Sequence, residues 1–216
     1  MAGNLRGDAR ATIAAGLDSA LDKQRPVAVA NVARLRQLHP DKTAEELVAY
    51  FENWYLGTVS FGDVAVDRTV SGPDGVVEMP AALGDFLAYL DASVLFILEA
   101  AEVQGLVPED HDRRKLLVLS ALVGDADGKA LEPLIGEVGP LWGPKIVDGI
   151  PLEAVVAANE TLGSRIDTTW GDTGAPVPGR HAAVKVTVDA DGDGDGLFGW
   201  RAVTSARKIL GPARAQ

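Results

Sequence analysis

A chain of 216 residues with 47% hydrophobic side chains and a formal net charge of −11 is long enough for one sizeable core and too apolar for a disordered polymer. Its acidity repels phosphate backbones and anionic lipid headgroups, which argues against nucleic acid as a partner. Without cysteine there is no disulfide framework, thiolate nucleophile or cysteine zinc site.

The N-terminal ten residues lack the apolar run of a signal peptide, so the expected location is the cytoplasm. Residues 9–22 predict a first helix, with Ile13, Leu17 and Leu21 at four-residue spacing. Pro26 fits the first turn of a second helix, which ends where Pro40 pushes His39 out of the α region. Thr43 and Glu46 form a capping-box pair at the start of the next helix, which runs through Leu47, Tyr50, Phe51, Trp54 and Tyr55 to a stop at Gly57.

Residues 58–79 read as a loop with room for a short hairpin: Val64, Val66 and Val70 alternate with other residues, and a glycine–proline–aspartate–glycine turn spans 72–75. Pro80 opens a helix to about Gly105. It holds the most apolar stretch of the chain, Phe86 to Val107, but Asp91, Glu99 and Glu102 make a membrane span costly at roughly 3 kcal/mol for each central acid. A buried helix of a water-soluble core, with no transmembrane span, is expected instead.

A helix follows from Asp110 or His111 to Gly124, then a short one at 129–138 and another at 151–163. The pattern breaks at Gly163. Residues 164–198 read as a loop-rich segment with one strand at 183–189, and 199–216 as a short basic helix and tail. The expected fold class is mainly α: a single bundle-like helical domain over 1–163 with a weakly structured, β-containing C-terminal appendage.

Four acids, Asp189, Asp191, Asp193 and Asp195, alternate like the first ligands of a calcium loop, with Gly196 at the sixth place counted from Asp191. The twelfth place, which should supply a bidentate glutamate, is Ala202, so Ca2+ is a candidate with an incomplete ligand set. The plain alternative is a solvated acidic turn. Gly192, Gly194 and Gly196 are not a dinucleotide fingerprint, because the aspartates between them repel phosphate.

No histidine pair has metal-ligand spacing among His39, His111 and His181. Glu99, His111 and Asp112 would be the best residues for an enzyme working in a pocket between helices. Asn159 to Thr161 matches a glycosylation sequon but falls in a predicted helix. The last helix carries Arg201, Arg207 and Lys208 beside Trp200, Ile209 and Leu210. Such a segment, 200–210, would either touch a membrane surface or pack on the body with its positive charge at its own C-terminus.

His39, Pro40 and Asp41 resemble the signature tripeptide of J-domain co-chaperones, although a helix stop followed by a cap explains the same residues. A broader resemblance runs through Arg34 to Leu47, Trp54 to Thr58, Ala88 to Leu106, Arg113 to Leu119, Gly143 to Ile146, Asn159 to Leu162, and Ser205 to Pro212. In this order the segments are similar to bacterial EcsC-like proteins, especially actinobacterial ones. The resemblance implies a non-enzymatic helical scaffold that assists a membrane or ABC-transport process through a protein partner. In place of two apolar stretches of that family the chain has 58–79 and 181–198, both rich in acids.

Overall fold

The computed structural model describes residues 2–61, 69–72, 75–78, 81–125, 128–138, 142–171 and 198–213. These are mainly helical: α1 (Ala2–Leu38), α2 (Ala44–Phe61), α3 (Ala81–Val103), α4 (His111–Val123), α5 (Glu132–Ile135), α6 (Gly143–Asp148), α7 (Leu152–Gly171) and α8 (Phe198–Leu210). Between α2 and α3, β1 (Thr69–Gly72) and β2 (Gly75–Glu78) pair antiparallel, from Thr69 opposite Glu78 to Gly72 opposite Gly75. The two strands are those for which the sequence left room on either side of residues 73–74.

α3 is the central helix. From Ser93 to Ala101 every residue is buried, as expected of a helix apolar on all sides. α1, α2, α4 and α8 pack around it, while α7 and α6 pack on the outer side of α4. Tyr55 of α2 stacks on Phe96 with ring centroids 4.8 Å apart, and its hydroxyl lies 2.8 Å from Ser93 Oγ. Ser93 in turn donates to the Tyr89 carbonyl at 2.8 Å, which leaves that buried hydroxyl pair satisfied. No helix among the described residues is long and apolar enough to cross a membrane.

The two helices expected on either side of Pro26 are one. α1 continues through the proline, which stands exposed in its interior. Proline inside a helix costs about 3 kcal/mol. Ile13, Leu17 and Leu21 before it lie on the same buried stripe as Ala28, Val32 and Leu35 after it, all packed towards α3. Burying Val32 and Leu35 alone contributes about 3–6 kcal/mol, enough to carry the helix past the proline.

Two glycine stops also fail. α2 runs past Gly57 to Phe61, and α7 runs past Gly163 to Gly171. A glycine inside a helix costs only about 1 kcal/mol relative to alanine, less than is gained by burying Ile166 one turn further on at 4% exposure. The helical region therefore extends into 164–171, which the sequence suggested was loop. The predicted strand at 183–189 lies outside the described residues, and the short helix expected at 129–138 shrinks to α5.

Caps behave as expected. Thr43 N–H donates to Glu46 Oε2 at 2.8 Å while Glu46 N–H donates to Thr43 Oγ1 at 3.3 Å, a reciprocal capping box. The hydrogen bonds from Thr43 hold the Glu46 carboxyl below its ordinary pKa. Asp110 caps α4 by accepting from Arg113 N–H at 3.0 Å, and Gly124 ends it at φ 78°, with its N–H donating to the Ser120 carbonyl. Replacing Asp110 with alanine should lower stability by about 1 kcal/mol, and Asp110→Asn should restore most of it, as read by urea unfolding. Equal losses from both variants would show that the cap contributes nothing.

α8 packs on the body. Ala202, Val203, Ala206, Ile209 and Leu210 are buried against α2, α3, α4 and α6. Arg207 grips α2 with a fork: Nε and Nη2 reach the two oxygens of Glu52 at 2.5 and 2.7 Å, and Nη1 reaches Glu45 at 2.9 Å. Those carboxylates raise the Arg207 pKa. Arg201 donates to the Val123 carbonyl at 2.7 Å. Most apolar residues of 200–210 are thus inside the core while Trp200 stays half exposed, and the helix packs on the body with its basic residues near its C-terminus.

Candidate functional site

α1 and α2 both lie on α3 but make little contact with each other. The turn at His39, Pro40 and Asp41 sends α2 away from α1, and a groove of about 350 Å³ opens between them. Asn31, Arg34, Leu35 and Leu38 of α1 form one wall, and Tyr50, Phe51 and Trp54 of α2 the other. Glu99 of α3 lies at its floor.

The helical repeat explains how α2 supplies both core and groove. Leu47, Phe51 and Tyr55 recur at four-residue spacing and are buried against α3. Tyr50 and Trp54 form a second four-residue stripe beside them, and they remain about half exposed, at 49% and 50%. Leu38 across the groove is 61% exposed. Tyr50 also packs edge-on against Phe51, with centroids 5.8 Å apart, so one groove ring is braced by a core ring.

Glu99 is 1% exposed. Its Oε1 accepts from Asn31 Nδ2 at 2.7 Å, while its Oε2 has no hydrogen-bond partner among the described residues. Burial pushes the carboxyl up to about 7, against the smaller opposing effect of the Asn31 hydrogen bond. A carboxyl in this state exchanges its proton near neutrality, accepts a donor on its free oxygen when ionised, and donates one when protonated.

The other sequence candidates are elsewhere. His111 lies between two aspartates of α1, with Nε2 3.4 Å from Asp18 and Nδ1 3.3 Å from Asp22, and Lys115 Nζ holds Asp18 at 2.7 Å. Asn31, which holds Glu99, is nine and thirteen residues further along α1, about 13 to 20 Å at helical rise. Glu99 and His111 therefore do not share a site. Asp112 lines a different cleft, of about 440 Å³, with Lys115 and Asn159. Asn159 is buried there and donates to the Asp112 carbonyl at 2.9 Å, so the side-chain amide of the sequon is not presented to solvent, although Glu160 and Thr161 are exposed.

Asp189, Asp191, Asp193 and Asp195 lie outside the described residues. Among those described, no group of three or more histidines, cysteines or acids is placed to hold a metal ion. Sequence reading reached Glu99 but missed Asn31, Tyr50 and Trp54 as its companions. The available signal was the second aromatic stripe on α2, one more than a helix needs for a single buried face.

No family model, curated protein or solved structure matches this chain.

Proposed function

We propose that this protein is a non-enzymatic helical binding protein, an accessory scaffold that takes its ligand in the groove between α1 and α2. The observation that carries the reading is the pair of half-exposed rings, Tyr50 and Trp54, that line the groove with the exposed Leu38. An apolar concavity of a few hundred Å³ with few convergent polar groups is the usual form of a ligand site. Aromatic rings left at a surface are the side chains that most often anchor a bound partner. The EcsC-like resemblance supports the same reading, since it implies an accessory role in a membrane or transport process rather than chemistry.

A fragment screen by ligand-observed NMR tests this. Ligands that bind the wild type should lose at least tenfold in affinity on Trp54→Ala, a surface change that leaves the core intact. Ligands whose affinity is the same in Trp54→Ala and in Tyr50→Ala would place binding away from the groove and sink the proposal.

A further inference from the structure

We propose that the half of α1 beyond Pro26 is a proton-latched arm, which leaves its seat on α3 when Glu99 loses its proton. The arm works in this way whatever ligand the groove takes. Its freedom to move has three sources. Pro26 has no N–H to offer the Asp22 carbonyl, so the helical ladder is interrupted there and α1 resists bending least at that point. Beyond it, residues 27–38 rest on α3: Ala28, Val32 and Leu35 are buried towards that helix, while Asn31 and Arg36 donate to Glu99 and to the Val103 carbonyl. On the other side α2 makes little contact with α1, and Val29, Ala30, Ala33, Arg34 and Gln37 are exposed.

The latch is the contact between Asn31 and Glu99. Glu99 is 1% exposed, and the hydrogen bond it accepts from Asn31 at 2.7 Å falls on Oε1, while Oε2 has no partner among the described residues. A buried carboxylate with one neutral donor and no cation is costly, whereas the protonated acid carries no charge to solvate. No neighbouring element supplies the missing positive charge. Arg34 of α1 is exposed and Arg36 is taken by the Val103 carbonyl. α2 brings Tyr50 to this side, and its Glu45 and Glu52 are held by Arg207 of α8. On α3 itself the nearest charge is another acid, Glu102. In α4, Lys115 holds Asp18, and Arg113 and Arg114 donate to backbone carbonyls. Burial and the Asn31 hydrogen bond are accordingly the causes that act on the carboxyl. Releasing residues 27–38 gives the ionised group water at the cost of one helix seam, less than unfolding the whole core. The closed arm is therefore favoured by protonation and loses that support as pH rises towards 7.

Native-state hydrogen exchange by NMR on the intact chain, with rates corrected for the intrinsic effect of pH, tests the arm. A freed segment of about a dozen residues is too short to stay helical alone, so its amides exchange once it leaves α3. The amides of Val32 to Leu35 should open up to about 70-fold more often at pH 8 than at pH 5, the limit set by a carboxyl at about 7 when closed and 4.5 when wetted. At pH 8 they should exchange at least tenfold faster than those of Leu117 to Leu119 in α4. They should also respond little to sub-denaturing urea, whereas the α4 amides follow global unfolding. Glu99→Gln, which keeps the shape and an acceptor for Asn31, should remove the pH dependence of arm opening. Pro26→Ala, which restores the missing N–H, should slow arm opening at both pH values. The arm is overturned if its amides exchange together with those of α4 and with the same urea dependence. The latch is overturned if Glu99→Gln keeps the wild-type pH dependence, and the hinge if Pro26→Ala opens as often as the wild type.

Discussion

Between pH 4.5 and pH 8 the wild-type protein should lose about 3 kcal/mol of stability that the Glu99→Gln variant retains. The Glu99 carboxyl has a folded-state pKa of about 7 against an ordinary value of 4.5, because burial disfavours its charged form. Over that interval the folded protein holds a proton that the unfolded chain has released, so the slope of unfolding free energy against pH is negative. The contribution is fully present below pH 4.5, declines as pH rises towards 7, and is flat above it. At about 1.4 kcal/mol per pH unit the interval amounts to roughly 3 kcal/mol. Urea unfolding of both proteins at half-unit steps isolates this group, since every other titration is common to the pair. Parallel profiles would show that Glu99 is already compensated, by a donor on Oε2 or by water.

A loss of about 3–5 kcal/mol is expected for Trp142→Ala. Trp142 is fully buried and immediately precedes α6. Gly128 closes over it: a Cβ there would sit 3.4 Å from the indole and 3.3 Å from Val138, and at φ 70° that residue favours glycine in any case. The next residue, Gly143, brings α6 against α8 so closely that a Cβ would come within 2.7 Å of the Ile209 carbonyl oxygen. Because that obstacle is backbone, Gly143→Ala must displace α8 rather than turn a side chain aside. Removing the indole leaves a void that neither neighbour is free to fill, which places the cost at the upper end of large-to-small changes. Denaturant unfolding that shows a loss below 1 kcal/mol would mean the loop and α6 collapse onto each other without the ring.

Several features were legible in the sequence because their causes are local. Thr43 with Glu46, Asp110, and Gly124 mark helix ends through hydrogen bonds made within a few residues, and all three act as their types suggest. Phe86 to Val103 announced a buried helix because acids inside the apolar run made any other placement costly, and the structure buries it at the centre. Pro26, Gly57 and Gly163 misled for the converse reason. Each weakens a helix by a local amount that distant packing exceeds, and the packing partner, such as α3 for α1, is not visible from the proline's own neighbourhood.

The candidate site was half legible. Glu99 stood out as an acid in an apolar run, but its meaning depends on Asn31, sixty-eight residues earlier, and on α2 departing from α1. No periodicity reports where two helices part. His111 and Asp112, adjacent in sequence, looked like a pair, yet His111 turns to Asp18 and Asp22 while the backbone carbonyl of Asp112 serves Asn159. Adjacent residues on a helix point about 100° apart, so sequence neighbours are poor candidates for a shared site.

The docking of α8 has a consequence for how the chain holds itself together. Its buried residues and the Arg207 fork meet partners as far back as Glu45 and Glu52, across residues 172–197. In binding terms, α8 is a ligand carried by its own receptor. The core of α2, α3 and α4 is therefore completed by an intramolecular association rather than by contacts between neighbours in sequence. A change of a few kcal/mol at Glu52 or Arg207 alters the fraction of molecules in which that association is made, and with it the protection of Phe96 and Ala100, which lie beside Ala206, Arg207 and Leu210.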